Sequence, residues 1–128
     1  MATEVVVFSG TRKEQRTYTN TAASDEDAVL IDISTLTGPN GSAPSKLAIE
    51  KIEYDVGQDT VIDFDATTDT PIAVLTQGSG CIDFWQNGKG ARLVDPQASG
   101  ATGDVKILTN AGVGANEYTL HITFVKKD

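Results

Sequence analysis

The sequence predicts an all-β protein: a single β-sandwich or jelly-roll-like domain over residues 28–128, with an extended N-terminal arm over residues 1–27. The end of the chain carries the clearest sign. Tyr118, Leu120, Ile122 and Phe124 alternate with Glu117, Thr119, His121 and Thr123, and period two sends large apolar groups to one face of a strand and polar groups to the other. Upstream, β-prone runs are punctuated by Gly, Pro, Asn and Asp at the roughly 8–12-residue spacing of a sandwich. No stretch keeps a helical period for more than a turn or two.

The elements follow in order. Val5-Val6-Val7-Phe8 is a short β-prone run. Residues 11–27 are polar, with Tyr18 as their one large apolar side chain and Arg12, Lys13 and Arg16 as a basic cluster. With so little to bury, this segment reads as an arm or long loop. Residues 28–34 form a strand with Val29, Ile31 and Ile33 on one face and Leu30 and Asp32 on the other. Residues 38–44, rich in Gly, Pro and Asn, make a loop. Across residues 47–56 the apolar phase slips between Ile49 and Ile52, and a β-bulge near Glu50 and Lys51 accounts for it; a helical turn over residues 45–52 is the alternative. Residues 61–65 alternate with Ile62 and Phe64 inward, and residues 71–76 are a short apolar strand. Gly78-Ser79-Gly80 is a turn before a strand over 81–85. Residues 86–103 form a long loop with brief pairing. Strands over 105–108 and 117–125 flank a loop at 110–116.

The size and the 39% hydrophobic content fit one globular domain. A formal net charge of −8 disfavours nucleic acid and anionic membranes, both of which require clustered cations. Cys81 is the only cysteine, so no internal disulfide forms, and the opening residues lack a basic, then apolar, export signal. Assembly in a reducing cytoplasm is the expectation.

Catalytic chemistry has little support. His121 is the only histidine and sits on the polar face of its strand, without a relay partner in the sequence pattern. Cys81 opens an apolar strand and reads as a small buried thiol. Asp55, Asp59, Asp63, Asp65 and Asp69 cluster, but their spacing matches no calcium loop. Trp85 beside Phe84 reads as core before it reads as a sugar platform. No enzyme, metal or cofactor is expected.

Three phrases carry a resemblance: Ile52-Glu53-Tyr54-Asp55-Val56-Gly57, Val61-Ile62-Asp63-Phe64-Asp65-Ala66-Thr67-Thr68-Asp69, and Gly78-Ser79-Gly80-Cys81-Ile82-Asp83-Phe84. Over residues 46–125 the chain resembles the small decoration, or cement, proteins of tailed-bacteriophage virions. The arm matches no phrase of that family. The resemblance implies a structural protein of the capsid surface, assembled in the host bacterial cytoplasm, whose partner is the major capsid protein. It also implies a homodimer or homotrimer. In that setting Val5, Val6, Val7 and Phe8 could add an edge strand to a partner sheet. Arg12, Lys13 and Arg16 could pair with acidic capsid loops, and Tyr18 would join them in the arm's contact surface. The rival readings are a carbohydrate-binding module, a tail or baseplate component and, more distantly, a small jelly-roll hydrolase.

Overall fold

The computed structural model describes residues 3–21, 27–84, 92–109 and 117–127. Among these residues ten strands build two antiparallel sheets. In chain order they are β1 (Thr3–Ser9), β2 (Lys13–Asn20), β3 (Asp27–Ile31), β4 (Lys46–Val56), β5 (Thr60–Phe64), β6 (Thr70–Leu75), β7 (Gly78–Asp83), β8 (Leu93–Val94), β9 (Val105–Thr109) and β10 (Tyr118–Lys127). A 3₁₀ turn at Ile33–Thr35 follows β3, capped by the Asp32 carboxylate accepting from Ser34 N–H. The larger sheet runs β1-β2-β10-β4-β7, with β8 also on β4; the smaller runs β3-β9-β5-β6. Their inner faces share one core, so the molecule is a β-sandwich. Tyr118, Leu120, Ile122 and Phe124 from β10 meet Ile62 and Phe64 from β5 and Val105 and Ile107 from β9 in it.

β10 is the central strand, and its alternation is the one the sequence displays. Its apolar row is at most 3% exposed, and His121 faces solvent. β4 contains the expected bulge. Thr123 pairs with Lys51 and Phe124 with Ile49, so Glu50 is the extra residue, and the phase slip keeps both Ile49 and Ile52 in the core.

Several expectations are corrected. The segment over residues 11–27 is not a free arm up to Asn20. Residues 13–20 are β2, hydrogen-bonded between β1 and β10, so the body of the protein does not begin at residue 28. Ile31 follows a register shift from Val29; Leu30 and Ile31 are therefore both buried and Val29 is exposed. Gly78-Ser79-Gly80 is not a turn but the start of β7 on β4. A Cβ at Gly80 would lie 2.6 Å from the Tyr54 hydroxyl oxygen, so glycine there lets the Tyr54 ring lie across the sheet. Cys81 is exposed rather than buried, because its register with Glu53 puts it on the outer face. Asp63, expected on a polar face, is buried beside a register shift at Ile62. Trp85 and the loop at 110–116 lie outside the described residues.

Candidate functional site

The N-terminal hairpin is where the structure places the residues predicted to bind a partner, and it divides them. β1 and β2 are joined by a tight turn closed by Gly10 N–H donating to Lys13 O at 2.8 Å. The pairing puts Glu4, Val6, Glu14, Arg16 and Tyr18 on the inward side, in line with Leu120, Ile122 and Phe124 of β10. Val5 and Phe8 share the outer side with Thr17 and Gln15.

Tyr18 is 1% exposed within the core, which removes it from any contact surface. Burial, with the Glu4 carboxylate beside it, pushes its phenol far above the ordinary value. Arg16 is also internal. Its guanidinium bridges Glu4 at 2.9 Å and Glu14 at 2.8 Å. Burial opposes its charge, but those two carboxylates win and raise its pKa.

Glu14 is fully buried and accepts from Ser9 Oγ at 2.6 Å and Arg16 Nε at 2.8 Å. Lys126, also buried, pairs with it at 3.2 Å and donates to the carbonyls of Gly10 at 2.6 Å and Thr37 at 2.9 Å. Burial alone would raise the Glu14 pKa; the bonds from Ser9, Arg16 and Lys126 outweigh it and hold the carboxyl below its usual range. This network spans from β1 to the last strand. A buried charge left without its partner is costly, so the hairpin is locked to the body.

β1 itself stays uncovered. All seven residues are exposed, with Val5 at 56%, Val6 at 48%, Val7 at 62% and Phe8 at 53%. The sheet order makes β1 a terminal strand, so among the described residues its outer backbone edge is unpaired. Scattered exposed apolar side chains are ordinary, whereas four in succession on a terminal strand form the kind of edge that proteins usually guard with charge or proline.

Of the basic cluster, Arg12 is exposed, while Lys13 shares the Glu50 carboxylate with Arg92, at 3.2 Å and 3.1 Å. Glu50 would be raised by burial, but the two cations lower it. Arg12, Lys13, Arg92 and Lys127 line one shallow cleft of about 260 Å³, close to Lys46, which pairs with Lys127. The opposite end of the same sheet presents Asp55 and Glu117 around a depression of about 290 Å³. Charge is thus segregated along the strands. Nothing in the sequence announces this, because Arg12, Lys46, Arg92 and Lys127 are distant along the chain.

Elsewhere, His121 Nδ1 lies 2.8 Å from Thr17 Oγ1 on the outer face, beside Glu53 in the next strand. The aspartates hold turns: Asp59 accepts from Gln77 N–H, Asp69 from Ala66 N–H, and Asp65 from Thr102 Oγ. Among the described residues no three His, Cys, Asp or Glu side chains converge to hold a metal ion, and no helix is long and apolar enough to cross a membrane.

No family model matches the chain, and no curated protein does. Among solved structures it is similar to a cupin superfamily protein from Desulfitobacterium hafniense, at 10% identity and a TM-score of 0.38, over all of this chain and 79% of that one. A likeness at that level says nothing of ligand or activity. The sandwich itself is evident from the two sheets and their shared core.

Proposed function

We propose that this chain is a structural virion protein that binds the outside of a phage capsid and clamps neighbouring capsid subunits. The observation that supports an assembly role is the β1 edge, apolar and, among the described residues, unpaired. Backbone pairing along such an edge supplies affinity, and the flanking side chains supply selectivity. Arg12 and Lys127, at the basic end of the sheet, suit acidic loops of the major capsid protein and would set register and encounter rate. Several weak contacts made together give a clamp its strength.

Purified protein mixed with expanded capsid shells should co-sediment and appear in cryo-electron microscopy as ordered copies on the outer surface. Bare shells would overturn the proposal. Density in a tail ring would transfer the chain to the tail or baseplate, and affinity on a glycan array would transfer it to the carbohydrate-binding modules.

A further inference from the structure

We propose that the free edge of β1 is where two copies of this chain meet, strand against strand and antiparallel, about a two-fold axis. This rests on reading β1 as the binding edge and names what occupies it. The sheet edges of this molecule differ in how they are protected. β6 carries Pro71 inside the strand, which removes a backbone donor. β3 is broken by the irregularity between Val29 and Ile31. β7 is short-chained, Gly78-Ser79-Gly80 leading into Cys81, and adds no large exposed apolar side chain. β1 has no lysine or proline, the usual guards against strand addition. Its one charge, Glu4, is taken by Arg16, and its irregularity between Val6 and Phe8 leaves residues 3–6 in regular register.

Two features favour a second copy as the occupant. First, β1 is exposed on both faces, with Val6 inward and Val5 and Phe8 outward. A two-fold pairing sets the same apolar groups of the second copy beside them on each face, the self-complementary arrangement of an isologous interface. Second, charge selects the antiparallel orientation. Arg12 and Lys127 lie toward one end of the larger sheet, and Asp55 and Glu117 toward the other. Antiparallel pairing sets the basic end of one copy alongside the acidic end of the next; parallel pairing sets like beside like. This local match works against the repulsion of two chains of net charge −8.

Sedimentation of the full chain over a wide concentration range should give twice the 13.5 kDa chain mass. Val5→Lys with Val7→Lys should weaken association by about tenfold or more, with the circular dichroism spectrum unchanged. Hydrogen exchange on the unmodified protein supplies a measurement free of any folding defect: the β1 amides that point away from β2 should be protected in proportion to the dimer present. A monomer at every concentration, a closed trimer, or a dimer in which those amides exchange freely overturns the proposal. A dimer that ignores capsid shells leaves this proposal standing and sinks the virion reading. A monomer that binds shells and protects β1 only there does the reverse.

Discussion

Glu14 has no solvent contact and is held by Ser9, Arg16 and Lys126. Glu14→Gln removes the charge both cations face, and we expect a loss of about 3 kcal/mol in denaturant unfolding. Its pH signature follows from the direction of its shift. The folded pKa lies below the unfolded one, so its contribution is complete above the ordinary carboxylate range and fades as pH falls through the lowered value. Melting temperature should therefore hold from neutrality to about pH 5 and drop below it, with a shallower drop in Glu14→Gln. Asp104 works in the opposite sense. Burial, with Asp32 and Asp65 nearby, raises its pKa, so the folded protein favours its protonated form and loses stability as pH rises through that value. Asp104→Asn keeps an acceptor for Ile33 N–H, which the carboxylate binds at 2.9 Å. It should stabilise the protein at neutral pH by less than about 1 kcal/mol, an advantage that disappears in acid. Cys81 is exposed, and we expect full labelling by a maleimide in the native protein; labelling only after denaturation would contradict its placement on the outer face.

Among the elements, the N-terminal hairpin divides into two parts with different roles. β1 buries none of its residues, whereas β2 places Glu14, Tyr18 and Asn20 in the interior. Removing residues 1–9 costs the bonds from Ser9 to Glu14 and Glu4 to Arg16, about 1–3 kcal/mol, and should leave a folded sandwich that no longer dimerises and, on the virion reading, binds shells more weakly. Removing residues 1–20 should abolish cooperative unfolding, because it strips β10 of a neighbour and leaves Lys126 buried without its carboxylate. Thermal melts of the two truncations compare these outcomes directly. Pattern reading located β10, β5 and the Glu50 bulge, whose apolar side chains keep strand periodicity on either side of one insertion. It missed β2 because the inward positions there are Glu14, Arg16, Tyr18 and Asn20. Such residues ordinarily mark an exposed segment, and their burial depends on a lysine at the far end of the chain.

Seen whole, the sandwich is asymmetric. Its larger sheet extends past the smaller one, and β1 is the part left bare. Along the same sheet, charge separates into a basic and an acidic end. If Arg12 and Lys127 face a capsid, Arg12→Glu with Lys127→Glu should reduce shell binding by about 1 kcal/mol or more, chiefly through a slower association rate. Wild-type binding should weaken as salt screens those contacts. Shell-binding kinetics at two ionic strengths measure both effects; indifference to the substitutions and to salt would remove the basic end from the interface.

The sequence by itself determined the all-β class, the alternation of β10 and the β-prone apolar run Val5-Val6-Val7-Phe8, because period-two patterning and turn residues act locally. Only the tertiary structure decided that the residues after that run form an inner strand, that Arg16 and Tyr18 are internal, and that β1 is a free edge. Those outcomes depend on which strands become neighbours. A salt-bridge network between Glu14 and Lys126 closes over more than a hundred residues of chain, and no local pattern encodes a pairing of that range.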